Sequence, residues 1–220
     1  MNPANRFALA SFTAGPAALL CGWLLMRPID GDLVPGPWWT AAHAVWLAGY
    51  LMFAVMTLAL RGLARPMTGG RRVAVEVSVA VALFSVAANV AQLAIDLYAG
   101  FTAADGEAMR AVFAQVKAYP GVEPVIYSVG PQLFFAALPA LAVVLAVSRR
   151  VTTVSAVVTA AGVVVLAVGM FQAGRDSALV AVGMALMWLG TLLLGRGPSP
   201  AAGGQGDSVA ALPAAGRPGN

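Results

Sequence analysis

Charge is what this sequence has least of. Of its 220 residues, 13 are Lys or Arg and 9 are Asp or Glu, together 10%. A soluble domain carries about 25% charged residues. A water-facing surface cannot be built from so few, so a soluble globular protein is excluded. Disorder throughout is excluded too, because 60% of the residues are hydrophobic and the mean hydropathy is +0.83. The single cysteine, Cys21, rules out an internal disulfide, a CxxC redox pair and a cysteine-based zinc site. The single histidine, His43, rules out bis-histidine haem and any histidine-rich metal centre. There is no Walker-type glycine loop with a lysine, no GxSxG elbow, no HExxH and no Asp-rich metal motif. Asp30 and Asp32 are the only close Asp pair, in an ordinary turn-like context. The residues therefore point to no metal and no cofactor.

What the sequence has in quantity is long apolar runs. A spanning helix needs about 20 mostly apolar residues. Six stretches qualify: Phe7–Met26, Thr40–Leu60, Val73–Ala99, Val125–Val147, Thr152–Gln172 and Ser177–Gly195. Internal Pro16, Pro131 and Pro139 would break soluble helices, but membrane helices tolerate them because neighbours re-satisfy the backbone. The expected fold is an all-α polytopic membrane bundle of six transmembrane helices over residues 1–196. The first run is too long for a signal-peptide core of about 7–15 residues and has no A-x-A-like site, so it is expected to stay as a helix.

Basic residues orient the bundle. One side receives nine: Arg6, Arg61, Arg65, Arg71, Arg72, Arg149, Arg150, Arg196 and Arg217. The other receives four: Arg27, Arg110, Lys117 and Arg175. Both termini are thus expected in the cytoplasm, with the protein multi-pass in the cell membrane. The pI near 9.8 reflects these helix-edge residues and not nucleic-acid binding. Residues 197–220, rich in Gly, Pro, Ala and Ser, read as a disordered cytoplasmic tail. In the outer loop, Met109, Val112, Phe113 and Val116 fall at i, i+3, i+4 and i+7. Thr102 and Asp105 have capping-box-like spacing before them. A short amphipathic helix over about 103–118 is expected on the outer interface, as a lid or as a mere connector.

An ionisable residue inside a span is costly and so marks a candidate site. At about 100° per residue, Ser85, Asn89, Gln92 and Asp96 of the third span share about 60° of arc. Such a stripe has to face the bundle interior or a wet cavity. Glu76 lies on the opposite face, four residues after Arg72, as a structural ion pair or a snorkelling residue. In the second span His43 sits one turn inside the outer boundary, with Trp46 and Tyr50 at i+3 and i+7. His43 and Asp96 match in depth, each about 5 Å below that boundary, so a contact between them is expected. The pair could relay protons or hold a polar ligand, or it could be a hydrogen-bonded interface histidine beside a helix-end aspartate.

The fourth span adds Tyr127, Ser128 and Gln132 around Pro131, whose kink frees a backbone carbonyl near the stripe. The fifth ends at Gln172, before Arg175 and Asp176. Trp38 and Trp39 read as an aromatic belt, and the deeper Trp46 as a cavity-lining residue. Ala156/Ala160 and Ala181/Ala185 have small-xxx-small spacing suited to close helix packing. Asp96 and His43 are thus the candidate catalytic residues. Trp46, Tyr50, Asn89, Gln92, Tyr127 and Gln132 are the candidate substrate-binding residues.

Three functions fit these residues. The first is a membrane-embedded enzyme acting on a hydrophobic substrate, in which a carboxylic acid donates a proton and aromatic faces stabilise a carbocation. The second is a small carrier, which six short-looped helices without an internal repeat would complete only as a homo-oligomer. The third is a non-catalytic accessory protein, for which the stripe is packing glue. In length, helix number and absence of a metal motif, the chain resembles the small integral-membrane terpene cyclases of bacterial natural-product pathways. It is similar as well to uncharacterised six-helix membrane proteins of high-GC bacteria. The first resemblance implies an isoprenoid substrate and acid-initiated cyclisation. The partners implied are membrane lipid and a hydrophobic small molecule.

Overall fold

Six of the helices in the computed structural model are long and apolar enough to cross a membrane. The structure describes residues 3–29, 32–172 and 178–196, with the side chains of 3, 4 and 172 excepted. Asp30, Arg175, Asp176, Arg217, the Gln172 side chain and the tail over 197–220 lie outside the described residues. Seven α-helices are described: α1 (Pro3–Met26), α2 (Pro37–Leu63), α3 (Gly69–Thr102), α4 (Gly106–Lys117), α5 (Val129–Val147), α6 (Thr153–Gln172) and α7 (Ala178–Gly195). A 3-10 turn (Arg27–Ile29) follows α1, and a π-helical segment (Glu123–Ser128) leads into α5. All the described regular structure is helical. Each sequence-predicted span has its helix, with ends within about a turn. The short outer helix forms as α4.

The six long helices close a ring. Helix α1 packs on α2, α2 on α3, α3 on α5, α5 on α6, α6 on α7, and α7 returns to α1. The two ends of this ring differ. At the end carrying Glu76 the middle is solid: Phe53, Met56, Leu60, Phe134, Leu138 and Leu141 are almost wholly buried. The Phe53 and Phe134 rings sit 4.6 Å apart and close the centre. Tyr50 packs edge-on against both. At the other end, where His43 lies, the ring is hollow.

Close packing of α6 on α7 is set by glycine. A Cβ at Gly162 would meet the Met187 backbone, and at Gly183 the Leu166 backbone; one at Gly190 would meet Thr159. The pairs Ala156/Ala160 and Ala181/Ala185, whose spacing suits close packing, lie in the same two helices. Ala156 is buried, but Ala185 is exposed. In lipid the driving force is backbone approach, and glycine permits a closer one than alanine.

Helix α4 does not lie loose on the surface. Met109 is fully buried in a cluster with Met26, Trp39, Ala42 and Ala99, and Val112 and Phe113 pack against it. The N-cap is Asp105, not the Thr102 of the expected capping box. Its carboxylate accepts from the Glu107 and Ala108 amides at 3.0 and 2.9 Å. Thr102 instead donates to the Tyr98 carbonyl at 2.8 Å, which keeps it in the last turn of α3. A side chain spent on its own helix cannot cap the next one.

Candidate functional site

The hollow end holds a cavity of about 1230 Å³. His43, Asp96, Trp46, Tyr50, Asn89, Gln92, Tyr127 and Gln132 all line it. The structure therefore brings together, from four segments, the eight candidate catalytic and substrate-binding residues. Its walls are of two kinds. Helices α2 and α3 and the π-helical segment supply the polar wall. Leu19 of α1, Leu166 and Met170 of α6, and Met184 of α7 supply an apolar one.

His43 and Asp96 are nearly buried, at 4% and 6% exposure, and Nε2 lies 3.6 Å from Oδ2. That is contact distance, longer than a full hydrogen bond. The other imidazole nitrogen, Nδ1, sits 2.7 Å from the Trp39 carbonyl oxygen. A carbonyl can only accept, so Nδ1 carries a hydrogen. In a neutral ring Nε2 then presents its lone pair to Asp96. Gln92 lies one helical turn before Asp96 on the same face and lines the cavity with it.

Two tryptophans frame the pair. Trp39 stacks on His43 with centroids 4.0 Å apart and planes 25° from parallel. Its indole N–H donates to the Asp96 backbone oxygen at 2.9 Å, tying α2 to α3 at this depth. Trp46 meets His43 edge-on at 5.2 Å and donates to the Leu19 carbonyl at 3.1 Å. Each indole lies over a glycine. A Cβ at Gly100 would strike Trp39, and one at Gly22 would strike Trp46. Trp39 is 5% exposed, so it is not the belt residue the sequence suggested; Trp38, at 47%, is open. The missed signal was spacing, since Trp39 precedes His43 by four residues and shares its helix face.

The polar stripe of α3 divides into two pairs. Ser85 donates to the Pro131 carbonyl at 2.9 Å and accepts from the Phe134 amide at 2.8 Å. The Asn89 amide nitrogen reaches the Ser85 and Pro131 carbonyls at 2.9 and 3.3 Å. These two residues repair the α5 backbone beside Pro131, which removes a helical donor. Gln92 and Asp96, one and two turns on, remain for the cavity.

At the rim stand Arg27, Arg110 and Lys117, none of which composition had marked. Lys117 pairs with Glu123 at 3.1 Å and lies 4.6 Å from the centre of the Tyr127 ring. At the opposite end of the bundle, Glu76 holds Arg72, as expected, and also Arg61, whose Nε is 2.8 Å from Oε2. The second partner joins α2 to α3 and makes Glu76 structural.

Among the described residues no group of three or more His, Cys, Asp or Glu side chains is placed to hold a metal. Comparison of the chain with protein-family models, with curated proteins and with solved structures finds no match.

Proposed function

We propose that this is a membrane-embedded enzyme that cyclises or isomerises a hydrophobic, isoprenoid-like chain by general-acid chemistry, with Asp96 as the proton donor. The observation that carries the reading is the Asp96 carboxyl in contact with His43 inside a large cavity that is polar on one wall and apolar on the other. A cavity of this size exceeds the range of about 300–1,000 Å³ common for small-molecule sites and suits an elongated ligand.

The step balances without a co-reactant. The Asp96 proton goes to one carbon of a substrate double bond; the π pair forms the new C–H bond and leaves a cation on the neighbouring carbon. A second double bond attacks it and closes a ring. Loss of a proton from the product returns the acid. His43, with its hydrogen on Nδ1, turns the Nε2 lone pair toward the protonated Asp96 carboxyl and so places the acid before transfer; the carboxylate left afterwards is reprotonated by the proton that the cyclised cation loses. The faces of Trp46 and Tyr50 stabilise the travelling cation, each by about 0.5–2 kcal/mol. The Phe53–Phe134 pair closes the inner end of the cavity, so the cation travels against aromatic and apolar side chains there.

The proposed location is the plasma membrane, with both termini in the cytoplasm and the cavity opening to the far side. The experiment is Asp96→Asn, which keeps shape and removes the acid. Membranes holding either protein are incubated with geranylgeraniol and its phosphate, and isomeric products of unchanged mass are sought by gas chromatography and mass spectrometry. Product formation by the wild type should fall about 10²–10⁴-fold in the variant, at equal membrane abundance. Equal turnover by the variant removes Asp96 as donor, and no conversion by the wild type counts against cyclisation.

A further inference from the structure

The rim of the cavity has a charge imbalance that acid chemistry alone does not use. Among the described residues lining the cavity, three are cations, Arg27, Arg110 and Lys117, and one is an acid, the deeper Asp96. Arg110 and Lys117 are the only basic residues of α4 and lie seven positions apart, on one helical face. An amphipathic helix at a membrane interface turns its cations to solvent. Here both are exposed and also border the cavity, beside Phe113 and Ala114. Lys117 has one counter-ion, Glu123, and no ion pair holds Arg110 among the described residues. The Tyr127 hydroxyl, on the same wall, is buried with no hydrogen-bond partner. A buried hydroxyl without a partner is costly unless a ligand completes it.

We infer that the ligand of this cavity is a phosphate or diphosphate ester of a single apolar chain, its head held by Arg110, Lys117 and Tyr127 and its chain laid along Leu166, Met170 and Met184. This rests on the reading that the cavity receives an isoprenoid-like chain, and names its head. Two cations on one helix face suit an anion carrying more than one charge, and a guanidinium can grip two phosphate oxygens at once. Head and reacting carbons then occupy different depths, the rim and the His43–Asp96 level.

The test uses the full chain in phosphatidylcholine nanodiscs. Trp23, Trp39 and Trp46 line the cavity, so their fluorescence reports occupancy without turnover. The probes are geranylgeranyl phosphate, geranylgeraniol and inorganic phosphate. The ester should bind at least about tenfold tighter than the alcohol. The double variant R110Q/K117Q should erase that difference while the alcohol keeps its Kd. Inorganic phosphate should not displace the ester at equal concentration. Equal binding of ester and alcohol to the wild type overturns the head assignment but leaves the chain-binding reading standing. Displacement by inorganic phosphate at matched concentration overturns it in favour of a free-anion site. Displacement by phosphatidylglycerol added to the nanodisc overturns it in favour of a membrane phospholipid. Failure of both ester and alcohol to bind overturns the chain-binding reading as well.

Discussion

At the scale of single residues, what matters is which polar groups are already committed. Ser85 is committed twice, to the Pro131 carbonyl and the Phe134 amide of another helix. Thr57 is committed once, to the Phe53 carbonyl of its own helix, at 2.8 Å. Ser85→Ala removes two hydrogen bonds that cross from α3 to α5, whereas Thr57→Val removes one bond made within α2 to a carbonyl of its own helix. Interhelical hydrogen bonds in membranes average about 0.6 kcal/mol and reach about 1.7. Thermal unfolding in nanodiscs should therefore show a loss of about 1–2 kcal/mol for Ser85→Ala and close to none for Thr57→Val. Equal losses would mean that Ser85 does not join α3 to α5. His43 is committed at Nδ1 and open at Nε2. His43→Phe keeps a ring to stack on Trp39 and removes both nitrogens. Turnover should drop by more than about tenfold, within the range for a positioned acid–base partner, with thermal stability nearly kept; undiminished turnover would leave Asp96 acting without an imidazole.

At the scale of elements, α4 is the part most readily loosened. It is short, and its hold on the bundle is one fully buried side chain, Met109, with Val112 and Phe113 beside it. The Asp105 cap satisfies two amides at its start. Asp105→Ala should cost about 1 kcal/mol, which is roughly a fivefold shift in local opening. Hydrogen exchange at amides 107–110 should speed up by that factor while those of α2 and α3 stay protected; unchanged exchange would place the hold on α4 in Met109 alone. The existence of α4 could be read from the 3-4-7 spacing of Met109, Val112, Phe113 and Val116. Its cap could not, because Thr-x-x-Asp offers two acceptors and the choice depends on where α3 ends. The six spans and the polar wall were legible for the same reason: polar groups are scarce in this chain, so each one carries information. The apolar wall was not. Leu166, Met170 and Met184 sit in the halves of α6 and α7 nearest the cavity, over 163–171 and 178–187, which carry no polar side chain, and in lipid such a stretch gives no sign of which face turns inward. The π-helical lead into α5 was equally hidden, since Pro124 and Pro131 mark a break without stating its form.

At the scale of the whole molecule, the ring is solid at one end and hollow at the other, and charge follows the same division. Among the described residues the solid end carries Arg6, Arg61, Arg65, Arg71, Arg72, Arg149, Arg150 and Arg196, and the hollow end carries Arg27, Arg110 and Lys117. Insertion keeps the more basic loops on the cytoplasmic side, so the cavity would face away from the cytoplasm and draw its substrate from the bilayer or the far aqueous side. That bears on the chemistry. A rim of cations turned outward would meet an anionic head that has already crossed or been assembled in the membrane. It would be screened by external salt over about 8–10 Å at physiological strength. Sidedness can be measured with the chain's own scarcity of cysteine. Cys21→Ala removes the single thiol, after which Thr68→Cys places one in the α2–α3 loop and Tyr119→Cys places one beside α4. Both positions are exposed, Tyr119 at 63%. A membrane-impermeant maleimide added to intact cells should label the Tyr119→Cys protein and spare the Thr68→Cys protein until the membrane is opened. The reverse pattern would turn the cavity toward the cytoplasm. The rim would then face soluble phosphate esters directly, and the acid pair would work on a substrate delivered from within.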